Sequence, residues 1–248
     1  MWKNKKIVCV IPARLNSSRF PRKILASLHG KSLIEWVWNA AIKVSCFDKV
    51  VIAIDDLETA SVIDKFGGQY LMTSQDCLSG TDRMIELESK GYIQGDVYVN
   101  WQADGPFISE QTIHDLLQSC DDESMDVWTL KKRLLNQEDI LSPEVSKVVC
   151  DIQGRAMYFS RATLPFYRKT IPGKEKIYFK HIGLYAYSSK GLQKISSITP
   201  CDLERIEQLE QLRFLYHGIK VQVHETLHET LEIDIPEHLE KAKNLLMV

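Results

Sequence analysis

The chain has 248 residues, with 31 Lys and Arg against 33 Asp and Glu, a net charge of −2, 44% hydrophobic and 26% charged residues. It is long enough to bury a sizeable core as one large domain, and its balanced charge points to neither nucleic acid nor an anionic membrane as partner. The apolar runs fall short of the roughly 20 residues that cross a bilayer, and the one after MWKNKK stops at Pro12 without a small-residue cleavage site, so no signal peptide is expected.

Ile7–Ile11 (IVCVI) is a continuous, β-branched apolar run that predicts a buried strand ended by Pro12. Ala13–Lys23 follows as a loop carrying Arg14, Arg19, Arg22 and Lys23 among Asn16, Ser17 and Ser18. A core strand thus delivers four cations to the carboxyl end of a sheet, where open α/β folds bind ligands. Forked Arg donors and a Lys point charge suit an anion, most simply a nucleoside triphosphate. The plainer alternative is a solvated basic loop.

Ser32–Cys46 predicts an amphipathic helix capped by Ser32. Lys49–Asp55 is a second buried strand, Thr59–Phe66 a helix stopped by Gly67-Gly68, and Gln69–Thr73 a third strand. This β-α-β-α-β order predicts a parallel sheet with right-handed crossovers. Thr73–Arg83 is a polar turn in which Ser79-Gly80-Thr81 enters a helix from Asp82, and glycine there lets backbone N–H groups approach a ligand. Asp96–Gln102 is a further strand running into Ala103-Asp104-Gly105-Pro106. Asp104 is placed either to hold Mg²⁺ against phosphates or to make an Asp-Gly-Pro turn.

From Met125 to about Lys194 the pattern changes to strands joined by polar loops: Asp126–Leu134, Val145–Asp151, Arg155–Phe159 and Tyr178–Ser188. They predict an antiparallel lobe, covering part of the site or forming a subunit contact. His181 and Tyr185 sit four apart on one strand, hence on one face, as core or as a polar pocket wall shared with Lys180 and Ser160-Arg161. Thr199–His217 predicts a single helix, with Thr199 and Asp202 as a capping box, Glu207, Glu210 and Gln211 on one face, and Gly218 as its end. That face is either solvated or functional. Val221–His224 and Leu231–Asp234 predict strands, and a last helix runs to Leu246. Six scattered cysteines with no Cys-x-x-Cys suit reduced core thiols in cytoplasm.

Seven segments in order, PARLNSSRFPRK, SGTDR, VNWQADGP, YFSRATLP, KHIGLYAY, LEQLRFLYHG and IDIPEHLE, make the chain similar from Ile11 to about Glu240 to the 3-deoxy-manno-octulosonate cytidylyltransferase family. The resemblance implies an α/β, Rossmann-like nucleotidyltransferase fold: one domain over 1–248, a mostly parallel central sheet flanked by helices, and an inserted antiparallel dimerisation lobe over about 126–190. It implies transfer of CMP from CTP to an acidic keto-sugar in lipopolysaccharide biosynthesis, by a cytoplasmic homodimer that uses Mg²⁺. Arg14, Arg19, Lys23, Asp104 and Asp234 would be catalytic, the two aspartates as metal ligands. Pro12, Ala13, Arg14, Ser18, Arg19, Lys23, Thr73, Ser79, Gly80, Thr81 and Gln102 would bind nucleotide. Gln102, Arg161, His181, Tyr185, Glu210 and Gln211 would hold the sugar. The chain departs from the family pattern at Arg22, where a glycine is usual, and at Ala103 and Gly105 around the aspartate. Alternative readings are a cytidylyltransferase for another acid and a nucleotide-binding paralogue without turnover.

Overall fold

The computed structural model describes residues 1–16, 20–169, 172–173 and 175–245. In chain order its elements are β1 (Ile7–Ala13), a 3₁₀ turn (Lys23–Leu25), β2 (Ser27–Leu28), β3 (Lys31–Ser32), α1 (Leu33–Ala41), β4 (Lys49–Ile54), α2 (Leu57–Phe66), β5 (Tyr70–Met72), α3 (Gly80–Ser89), β6 (Val97–Asn100) and α4 (Glu110–Leu116). The remaining elements are β7 (Val127–Leu134), α5 (Gln137–Leu141), β8 (Lys147–Cys150), β9 (Ala156–Ser160), β10 (Tyr178–Ser188), α6 (Ser189–Ser196), α7 (Asp202–Glu207), α8 (Gln211–Tyr216), β11 (Val221–Glu225) and α9 (Pro236–Leu245). They form two compact units, residues 1–113 with 229–248, and residues 114–228. The lobe expected over about 126–190 lies inside the second.

The first unit is built on the parallel strands β6-β1-β4-β5. All seven residues of β1 are buried, as a strand covered on both faces requires. Pro12, expected to end β1, lies inside it and pairs in register with Ala53. The Val10 carbonyl accepts from Trp101 N on the β6 side, where pairing stops at Val10↔Asn100. Pro12, two residues on, points the same way beyond the end of that ladder, so its missing donor costs no hydrogen bond. Ser32 caps α1 as expected, accepting from Glu35 N, and Gly67 ends α2 in the left-handed region at φ 71°.

The C-terminal segment returns to this unit through its apolar side chains. Leu28 and Leu33 bury with Ile233, Leu239 and Ala242, each side chain contributing roughly 1.5–3 kcal/mol for the larger aliphatics. Residues 231–234 form no strand, contrary to expectation. Ile233 N donates to the Asp104 carbonyl at 2.9 Å, and that bond, with Asp234 N donating to His238 Nδ1 at 3.4 Å, anchors Asp234.

In the second unit β7 lies between antiparallel β10 and parallel β11, and β8 joins β10 to β9. The strand expected over Tyr178–Ser188 has those bounds, with an irregularity between Ile182 and Tyr185. The helix expected over Thr199–His217 is two, α7 and α8, broken at Gln208, whose φ is 51°. Cys201, not Thr199, stands at the start of α7 and makes no side-chain cap.

Candidate active site

A cleft open to solvent lies in the first unit, lined by Pro12, Arg14, Asn16, Lys23, Ile24, Cys77, Leu78, Ser79, Gly80, Arg83, Gln102, Ala103 and Asp104. Its walls are the end of β1, the start of α3 and the turn after β6. Helix α3 begins at Gly80 rather than Asp82, because Ser79 and Asp82 form a capping box: Ser79 Oγ accepts from Asp82 N, while the Asp82 carboxylate accepts from Ser79 N. A Cβ on Gly80 would stand 2.8 Å from Pro12 Cγ and 3.2 Å from Gln102 Nε2. Glycine is therefore what lets the α3 start close onto the strand ends.

Lys23 is the electrostatic centre of the cleft. Its Nζ donates to Asp104 Oδ2 at 2.6 Å and to Asp234 Oδ1 at 2.8 Å, with only 9% of the residue exposed. Burial pulls the ammonium's pKa down, but Asp104 and then Asp234 outweigh that effect and hold it above the ordinary lysine value. Arg22, just before it, has φ 58° and pairs with Glu58. That left-handed backbone is the region glycine adopts most readily.

Among the described residues no group of three or more His, Cys, Asp or Glu side chains gathers to hold a metal. Two convergent carboxylates nevertheless fit a hard cation such as Mg²⁺, which is commonly held by one or two carboxylates together with substrate phosphates and water. The ammonium between them marks where positive charge is stabilised.

A buried pair that the sequence reading missed supports the cleft wall. Arg83 Nη2 donates to Asp55 Oδ2 at 2.8 Å, and Arg83 Nη1 donates to Thr73 Oγ1 and the Ser74 carbonyl. Asp55 Oδ1 accepts from Leu15 N at 3.2 Å, so the acid at the end of β4 ties the loop after β1 to α3. An acidic residue closing an apolar strand was its only sequence cue. Cys77 is held in its thiol form: burial, then its hydrogen bond to Glu86, pushes its pKa up to about 12.

Of the expected nucleotide-binding residues, Pro12, Arg14, Lys23, Ser79, Gly80 and Gln102 line the cleft, whereas Ala13, Thr73 and Thr81 are buried and do not. Thr73 is occupied with Arg83 and the Ile54 carbonyl. Ser18 and Arg19 lie outside the described residues.

The expected sugar residues other than Gln102 fall in the second unit. His181 Nε2 lies 2.9 Å from Thr129 Oγ1, whose proton goes to the Leu184 or Ile182 carbonyl. The Thr129 oxygen therefore accepts from Nε2–H, leaving Nδ1 to accept from Gln211 Nε2 at 3.5 Å. Burial pushes the His181 pKa down to about 3, so the ring is neutral. Its centroid is 5.4 Å from that of Tyr185.

Arg161 is set by the break between α7 and α8. Its Nε donates to the Glu207 carbonyl at 2.8 Å, its Nη1 to the Pro143 carbonyl at 2.9 Å, and its backbone N to the Glu207 carboxylate at 2.9 Å. Its guanidinium thus meets backbone carbonyls in these bonds. The buried Lys147 ammonium holds the Ser142 and Arg161 carbonyls. Glu210 pairs with Arg213 at 3.4 Å. Glu207 thus faces Ser160-Arg161 while Gln211 faces His181, not the shared face that one helix would give them.

A cytidylyltransferase family model matches residues 8–221. The chain is 40% identical over 247 residues to a 3-deoxy-manno-octulosonate cytidylyltransferase of Trichlorobacter lovleyi, covering 96% of this chain and 97% of that one. It is 41% identical over 244 residues to the enzyme of the same name from Pelodictyon phaeoclathratiforme, covering 97% of each. The chain belongs to the 3-deoxy-manno-octulosonate cytidylyltransferase family. A solved CMP:2-keto-3-deoxy-manno-octonic acid synthetase, complexed with CTP, superimposes on this cytidylyltransferase with TM-score 0.90 at 36% identity, over 98% of each chain. The Rossmann-like nucleotidyltransferase fold expected from the sequence is borne out.

Proposed function

We propose that this cytidylyltransferase transfers CMP from CTP to 3-deoxy-manno-octulosonate, releasing pyrophosphate and supplying an activated sugar for lipopolysaccharide assembly. The observation that carries this reading is the convergence of Asp104 and Asp234 on Lys23 in the cleft, in a chain about 40% identical along its length to enzymes of that name.

The anomeric hydroxyl of the keto acid attacks the α-phosphorus of CTP as the bond to the β-phosphate oxygen breaks. Positioning and charge neutralisation carry such reactions. Arg14 and Lys23 take the charge that grows on the leaving pyrophosphate. Gly80 and the capped start of α3 bring the nucleotide against the ends of β1 and β6. Arg161 pairs with the sugar carboxylate, its plane already fixed by Glu207 and Pro143, and neutral His181, whose ring nitrogens are held by Thr129 and Gln211, orients Gln211 and Tyr185 to bond the hydroxyls. Asp104 and Asp234 would hold Mg²⁺, which when bound would neutralise phosphate charge and make the attacking hydroxyl more acidic.

Six free cysteines support a reducing, cytoplasmic compartment. Exposed Ile152, Met157 and Phe166 in the second unit support a homodimer formed through the lobe.

A second reading, transfer to a differently substituted acid, is favoured by Gly105. Its φ lies outside the left-handed region and a Cβ would meet only Ile108 Cδ1 inside 3.4 Å, so the backbone does not demand glycine. Pyrophosphate release with CTP, Mg²⁺ and a panel of keto acids tests both. Turnover highest with 3-deoxy-manno-octulosonate supports the first, a preference for another acid replaces it with the second, and no release with any acid sinks both.

A further inference from the structure

Lys23 occupies one oxygen of each of the two carboxylates that the proposed function assigns to a divalent ion. An ammonium at 2.6 and 2.8 Å from those oxygens and a magnesium ion at roughly 2.0–2.1 Å from them would repel each other at close range. One of the three groups must move, and the chain indicates which. Asp104 is held through its carbonyl by Ile233 N, and Asp234 comes directly after Ile233, whose side chain is fully buried. Lys23 carries its charge on a four-carbon stem with rotatable bonds, at the start of a three-residue 3₁₀ turn.

We propose that in the nucleotide-free protein the Lys23 ammonium is the resident counter-ion of the Asp104–Asp234 pair and excludes divalent cations, which enter only as CTP phosphates draw Lys23 away. This rests on the reading of those aspartates as the metal-holding pair. In the exchange the incoming divalent ion takes over the carboxylates while the displaced ammonium moves onto phosphate. In the free protein Lys23 thus supplies positive charge to this half-buried carboxylate pair, and metal arrives with its nucleotide.

The test measures Mn²⁺ binding to the full-length protein without nucleotide, from the spectrum of free Mn²⁺ by electron paramagnetic resonance. Lys23→Met is expected to bind Mn²⁺ at least ~10-fold more tightly than wild type, because the pair loses its competing cation. Adding Asp234→Asn to that variant is expected to abolish the gain. Lys23→Gln, which keeps side-chain donors to both carboxylates, serves the same comparison if Lys23→Met does not fold. Affinity within threefold of wild type, or a gain that survives Asp234→Asn, would overturn the proposal. Pyrophosphate release by wild type, run in parallel, separates the two readings: release with unchanged Mn²⁺ affinity defeats only the exchange, whereas absent release with tightened Mn²⁺ binding defeats only the transferase.

Discussion

Asp55 and Arg83, 28 residues apart in the chain, form a buried ion pair at 2.8 Å that fastens the loop after β1 to helix α3. Arg83 is 2% exposed and Asp55 9%. Removing one partner of such a pair strands the other charge, at a cost of about 3–5 kcal/mol. Arg83→Met is therefore expected to lower the urea midpoint by that equivalent. A loss below about 1 kcal/mol would show that the pair does not brace the cleft.

Lys23→Ala is expected to reduce turnover by two to three orders of magnitude. A preorganised cationic donor facing charge that develops in the transition state is worth roughly 3–4 kcal/mol. Pyrophosphate release at saturating CTP and sugar measures it, and a near-normal rate would remove Lys23 from the catalytic machinery.

Arg161→Lys separates the two substrates. The guanidinium reaches the Glu207 and Pro143 carbonyls from two nitrogens, a geometry an ammonium cannot reproduce. The KM for the acid sugar is expected to rise about 10-fold, with that for CTP changing little. Equal rises would place Arg161 elsewhere in the mechanism.

His181 gives stability a pH dependence of defined sign. Burial holds its pKa at about 3, well below the ordinary histidine value. The unfolded chain takes up a proton as pH falls through about 6.5 while the folded chain does not. The contribution of the neutral ring is thus fully present above about pH 6.5 and is lost progressively toward pH 3, with a slope of up to about 1.4 kcal/mol per pH unit. His181→Asn is expected to flatten that part of the profile in denaturant titrations between pH 7 and 5. An unchanged slope would show that the ring is not buried neutral.

Arg22→Gly is expected to stabilise the fold by about 0.5–1 kcal/mol. Arg22 sits at φ 58°, where an L side chain is strained and glycine is not. Its partner Glu58 is 45% exposed, and ion pairs at that exposure contribute little. Thermal unfolding checks it; a fall in midpoint would mean that the Glu58 contact outweighs the backbone.

Local pattern determined much of this protein. An unbroken apolar run sufficed for β1, the serine before Leu33 for the cap of α1, and Gly67 for the end of α2, because each rests on a few neighbouring residues. The ordered segments from PARLNSSRFPRK to IDIPEHLE were enough for the family. Tertiary structure alone decided where Pro12 could sit, since that depends on how far β6 extends beside it. It alone broke the expected helix at Gln208, where Glu207 turns to Arg161 and Gln211 to His181. It alone paired Asp55 with Arg83 and seated Lys23 between two aspartates 130 positions apart in numbering (104 and 234). Those arrangements depend on buried charges meeting across the fold, and no periodicity in the chain encodes which distant partner a buried charge will find.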